Sequence, residues 1–215
     1  MNFPAILNIL GHVIKYELLL LLIPFAVALF YGQGDASAFL YTILIMLPIS
    51  IILTRVKGKK KEIYAKEGFL TVGLAWIVIS FFGALPFVFN GAIPSFIDAF
   101  FETSSGFTTT GASILTEIQS LPKGILFWRS FTHWVGGMGF LIFILALMPS
   151  FGGNTIHLLK AESPGPTPGK IVPKIKQTAK ILYAIYFVLT VIETIFLKFA
   201  GMSWYDAIIH ALGTA

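Results

Sequence analysis

The chain contains no cysteine. Disulfides and thiolate-metal sites are therefore excluded, and the redox compartment stays open. Charge is scarce too: Asp, Glu, Lys and Arg make up 12% of the 215 residues. A soluble domain of this size could not bury what remains, because 56% of the residues are hydrophobic and the mean hydropathy is +0.85. Most of the chain must have lipid as its solvent. The sequences GxSxG and HExxH are missing, as are paired aspartates within the apolar runs, so the common hydrolase machinery has no foothold. The first apolar run is long and lacks a small-residue cleavage site, which argues against a cleaved leader. The net charge of +5 sits in two loops rather than on one face, so nucleic acid is not an expected partner.

What is present is a series of apolar runs. A bilayer core of about 30 Å needs about 20 apolar residues in a helix. Five stretches qualify or nearly do: Phe3–Phe30, Ala38–Leu53, Phe69–Phe89, Gly124–Met148 and Ala179–Ala200. The second is short and carries Pro48. Two basic loops orient the set. Arg55–Lys66 holds six Lys or Arg, and Lys160–Lys180 holds five Lys around a proline-rich ESPGPTPGK centre. Both are expected in the cytoplasm, together with the N-terminus. A multi-pass protein of the cell (inner) membrane is expected, with the lipid bilayer as its first partner.

The segment Asn90–Lys123 then lies outside, yet it is no plain polar loop. Pro94 and Ser95 form a helix start. Phe96, Ile97, Ala99, Phe100 and Phe101 then follow before Gly106, which is expected to stop the helix. About ten helical residues reach about 15 Å, half a membrane, so this half-helix should enter and turn back. Irregular backbone at membrane depth survives only inside protein or beside a watery cavity. The stretch SFIDAFFE from Ser95 returns as SWYDAIIH from Ser203, pairing Asp98–Ala99 with Asp206–Ala207 at an offset of 108 residues. A second half-helix is expected near Ser203, and internal duplication is common in transporters.

Between the first half-helix and the next run stands SGFTTTGAS, Ser105–Ser113. A monovalent cation stripped of water needs replacement oxygens at similar distance. Backbone carbonyls serve if several point into one pore, and aligning them needs unusual dihedrals. Gly111 reaches positive φ at low cost. Thr108, Thr109 and Thr110 add hydroxyl oxygens to their carbonyls. None carries a full charge, so a bound ion can leave. The half-helix points its C-terminal dipole, about half a negative charge, toward the same place. The competing reading is a Ser/Thr-rich surface turn.

Four pieces of sequence carry a resemblance: ETSSGFTTTGAS, HWVGGMG, ESPGPTP followed by PKIKQTAKILYAIY, and WYDAIIHALGTA. Together they make the chain similar, over nearly all its length, to the Trk/Ktr/HKT potassium-uptake family, and within it to the Trk-H type of ion-conducting subunit. The resemblance implies an all-α membrane protein, potassium-channel-like, with two N-terminal transmembrane helices followed by helix–pore loop–helix repeats. The parts would be residues 1–54 for the helix pair, 67–149 for the first repeat, 150–177 for a cytoplasmic loop and 178–215 for a second repeat incomplete in its pore loop. It implies that Gly111 is the first filter glycine and that potassium is held at Thr109 and Thr110, with Thr108 beside them. It also implies the remaining C-terminal repeats, a homodimer, a cytoplasmic nucleotide-binding regulatory subunit and no cofactor, with K+ transported and Na+ as the alternative ion. The chain is accordingly expected to be an N-terminal fragment, inactive alone.

Other residues have narrower roles. Gly136 and Gly139 lie three apart on the helix after the loop and would let another helix come close. Arg129 and His133 share a face, with snorkelling as the plain reading for Arg129. Glu102 is expected either to pair with Arg129 or to stand at the outer mouth as a cation-attracting charge. Glu193 is expected to be a paired structural acid, with proton coupling as its alternative. Asp206 and His210 have metal-ligand spacing but no further ligands nearby. Asp98 and Asp206 fit better as groups bonding backbone at half-helix starts. The chain is not expected to be an enzyme. An intramembrane enzyme would have to use His133 with Glu102 or Ser104, and a membrane anchor or assembly module without transport is the other alternative.

Overall fold

The computed structural model describes residues 1–56, 65–139 and 172–215. Among them are seven helices and no strand: α1 Phe3–Tyr31, α2 Ala36–Thr54, α3 Ala65–Asn90, α4 Phe96–Phe107, α5 Lys123–Gly137, α6 Val172–Phe199 and α7 Trp204–Thr214. The chain is all-α, and α1, α2, α3 and α6 are long and apolar enough to cross a membrane. Most of the basic loop Arg55–Lys66, all of ESPGPTP and residues 140–148 lie outside the described residues.

α1 and α2 form an antiparallel pair. Gly11 lets α1 lie against the end of α2, where an added Cβ would stand 2.7 Å from Leu53 Cβ. Asn8 Nδ2 donates to the carbonyls of Thr54 (2.7 Å) and Val56 (3.1 Å), serving acceptors the end of α2 leaves over. Pro24, Pro48 and Pro86 all sit inside helices, as membrane helices tolerate. The core joins α1, α3, α4 and α5 through Val13, Leu21, Ile79, Phe107 and Trp128. Trp128 Nε1 donates to the Gly83 carbonyl at 2.8 Å, pinning α5 to α3. α6 is different: only 6% of its most apolar window is buried, so its sides stand open to lipid or further protein.

Three boundaries differ from the sequence reading. The run Gly124–Met148 does not continue as one helix: α5 ends at Gly137, and Gly139 takes a left-handed φ of 68° just beyond it, a common helix stop. α6 begins at Val172, within the stretch read as a loop to residue 177. Gly106 does not stop the half-helix; it lies inside α4, packed against Thr132.

The internal duplication is visible in the caps. Ser95 Oγ accepts from Asp98 N–H (3.4 Å), and Ser203 Oγ accepts from Asp206 N–H (3.1 Å). α4 and α7 are thus two short helices of 12 and 11 residues started by the same device. It is the aspartate's own amide that bonds, and the Asp206 carboxylate accepts from the Ser203 hydroxyl (2.7 Å).

Candidate functional site

The site is built where α4 runs out. Thr108 caps the helix, its N–H reaching the Ser104 carbonyl at 2.9 Å and its hydroxyl reaching the same oxygen at 2.7 Å. That hydroxyl also meets Thr110 Oγ1 at 2.8 Å. Thr109 N–H bonds the Gly106 carbonyl and Thr110 N–H the Ser105 carbonyl, each at 2.9 Å. The chain then turns back along its own helix. Ser105 Oγ donates to the Ala112 carbonyl at 2.6 Å.

The backbone between is unusual. Thr109 has φ 54° and Gly111 has φ 74°, while Thr110 between them is not left-handed. A β-branched residue in that region is a rare conformation, held at a cost of about 1–3 kcal/mol by its surroundings. Among the described residues, no N–H or O–H donates to the carbonyls of Thr109, Thr110 or Gly111. All three residues are exposed, at the negative end of the α4 dipole. The loop is neither helix nor strand, and it offers a short row of uncharged acceptors.

Glu102 holds the returning limb. It is 1% exposed and accepts from Ser113 Oγ at 3.0 Å, Ile114 N–H at 3.0 Å and Arg129 Nε at 2.7 Å. Of the two roles the sequence offers it, the geometry is that of the pair with Arg129, whose side chain is 14% exposed. A free charge at the mouth does not describe a carboxylate enclosed this way. Gly136 of α5 lies against the other side of the loop root. A Cβ there would overlap the Phe107 carbonyl, with Phe107 C at 2.7 Å. Gly139 lies beyond the helix and shares no helical face with Gly136.

The remaining candidates separate. His133 Nδ1 bonds the Arg129 carbonyl at 2.9 Å, and Glu102 is committed to Ser113, Ile114 and Arg129. The pairings that an intramembrane enzyme would need are therefore not formed among the described residues. Glu193 is half-buried and makes no ion pair among the described residues, contrary to the expectation of a paired acid. No group of three His, Asp or Glu gathers among them either.

Sequence reasoning missed three features. The left-handed Thr109 has no sequence signal, since threonine disfavours it. Asp35 is buried and serves as an acceptor for the first turn of α5, taking Ile125 N–H at 3.3 Å. Glu17, midway along α1, is fully buried, and its carboxylate has no hydrogen-bond partner among the described residues. It stands 3.3 Å from where a Gly83 Cβ would be, a point also 2.7 Å from Thr103 Cγ2 and 3.0 Å from Phe107 Cε2 of α4. An acid within an apolar run was the available signal.

The comparisons bear on this arrangement. Residues 37–214 match the family model described as TrkH, cation transport protein. The chain is 43% identical over 217 residues to the Trk system potassium uptake protein TrkH of Escherichia coli K12, covering 100% of this chain and 45% of that protein. It is 31% identical over 215 residues to the E. coli K12 potassium uptake protein TrkG, covering 98% of this chain and 44% of that one. Its fold is similar to the crystal structure of the potassium transporter TrkH from Vibrio parahaemolyticus, with a TM-score of 0.80 and 34% identity over 99% of this chain and 42% of that one. The chain thus spans about half the length of the curated relatives it matches.

Proposed function

Since the chain belongs to the TrkH family of cation transport proteins, we propose that it supplies part of the ion pathway of a potassium-uptake subunit. In this reading the carbonyls of Thr109, Thr110 and Gly111, with the Thr109 hydroxyl, replace water around a potassium ion. Thr108 stands beside them and shapes the loop, its hydroxyl bonded to Ser104 and Thr110. The observation that carries the reading is the left-handed backbone at residues 109 and 111 beside three carbonyls unbonded among the described residues. The relatives named as potassium uptake proteins support potassium over sodium as the ion.

In this reading the protein lies in the cell (inner) membrane with its N-terminus in the cytoplasm, an orientation that the two basic loops favour. Three further pore loops of the same full-length protein would complete the ring, because one loop cannot surround an ion. Dimerisation and a cytoplasmic nucleotide-binding regulatory subunit follow from the family resemblance alone. The test is rubidium uptake by the full-length protein in liposomes, in competition with sodium. Gly111→Ala is expected to abolish rubidium preference while leaving the protein folded. Undiminished preference in that variant would refute the reading.

A further inference from the structure

Four elements meet at the end of the bundle where α1 stops. Tyr31 closes α1, Gln33 and Asp35 follow in the turn, α5 begins with Lys123, and α7 begins beside Tyr205. The first amides of α5 need acceptors from elsewhere. Lys123 N–H donates to Gln33 Oε1 at 2.7 Å and Ile125 N–H to Asp35 Oδ2 at 3.3 Å. The buried Asp35 carboxylate also faces the positive end of the α5 dipole. A Cβ on Gly124 would collide with that carboxylate and stand 2.6 Å from Ala28 Cβ, so α5 docks closely on α1.

The second half-helix joins from the other side. Tyr205 donates its hydroxyl to the Lys123 carbonyl at 2.6 Å. The Tyr31 and Tyr205 rings meet edge to face with centroids 5.2 Å apart. The Lys123 ammonium lies 4.2 Å from the Tyr31 centroid and 5.1 Å from that of Tyr205. One lysine therefore bonds α7 through its backbone and two aromatic rings, from α1 and α7, through its charge.

We propose that this junction is a bracket by which the N-terminal helix pair keeps the two half-helices in register, with Lys123 as a positioning residue for the ion pathway. The proposal rests on the ion-pathway reading above. α5 carries Arg129 and Gly136, which hold the loop after α4. α7, attached at Lys123, is the matching second half-helix. A shift of α7 against α5 changes the spacing between neighbouring sets of ion ligands, and discrimination between ions depends on that spacing and on ligand number.

The test uses the full-length protein in liposomes, with rubidium and sodium fluxes measured side by side. Lys123→Met keeps the stem and removes the charge, Lys123→Arg keeps a cation over the rings, and Tyr205→Phe removes only a hydroxyl. Lys123→Met, which loses the cation over the rings, and Tyr205→Phe, which loses one hydrogen bond, are each expected to lower rubidium-over-sodium discrimination by about three- to tenfold, and Lys123→Arg to retain it. A double-mutant cycle on thermal midpoint, pairing Lys123→Met with Tyr205→Leu so that the charge and the ring under it are each removed, reads the Lys123–Tyr205 coupling without reference to transport. Should Lys123→Met fail to fold, Tyr205→Phe carries the same comparison. Unchanged discrimination in the folded variants overturns the proposal, as does a cycle without coupling. If the unsubstituted protein shows no rubidium-selective flux, the ion-pathway reading falls and this proposal with it; the persisting coupling would mark that case.

Discussion

Removing the Glu102 carboxylate probes the loop most directly. Three donors converge on it at 3.0, 3.0 and 2.7 Å, and one of them is a guanidinium that is only 14% exposed. Glu102→Ala leaves that cation unpaired and the returning limb without its acceptor. Breaking a buried pair from one side costs about 3–5 kcal/mol. Glu102→Gln keeps one oxygen and loses the charge, which corresponds to about 1.5–3 kcal/mol for hydrogen bonds to a charged group. Each 1.4 kcal/mol is about tenfold in population, so the alanine variant should deplete the ordered loop by about 100-fold or more. Combining Glu102→Leu with Arg129→Met removes both charges and should recover most of the stability. Flux should stay low in that double variant, because Ser113 and Ile114 still lack their acceptor. Thermal midpoint in detergent reads the first effect and rubidium uptake by the full-length protein reads the second. If the alanine and glutamine variants both match the unsubstituted protein, or the double variant is no more stable than Glu102→Ala, the pairing does not hold the loop.

Gly111→Asn, which tolerates left-handed backbone better than alanine does, should retain more rubidium uptake than Gly111→Ala, where φ of 74° costs about 1–2 kcal/mol. Gly136→Ala drives a methyl into the Phe107 carbonyl; with backbone on both sides, a loss of about 1–3 kcal/mol should appear as a lowered thermal midpoint. Trp128→Phe leaves the Gly83 carbonyl without its donor, and the same measurement should show a loss of about 1–3 kcal/mol.

The helices were legible because their determinants are local. Long apolar runs mark α1, α2, α3 and α6, and the Ser-x-x-Asp pattern marks the starts of α4 and α7. Positions set by distant partners were not legible. Gly106 looks like a breaker in sequence, but its missing side chain is used against Thr132, 26 residues on. Gly136 and Gly139 look alike, yet one faces the Phe107 carbonyl and the other lies past the end of α5. At the site, residue types foretold a left-handed Gly111. The same conformation at Thr109 runs against threonine's preference, so it follows from the Ser105–Ala112 and Glu102–Ser113 tethers around it. Asp35 was unreadable for a similar reason: its use is set by α5, whose Ile125 lies 90 positions away.

Among the described residues, the hydrogen bonds given for the loop arise within Glu102–Ile114, with Arg129 as the outside partner. Most of what shapes such a piece therefore lies within its own short stretch of chain. A ring made of such pieces would be assembled from prefabricated tiles, its fit decided at the seams between them. Errors of manufacture in one tile would then be local, and selection could tune each corner of the ring separately.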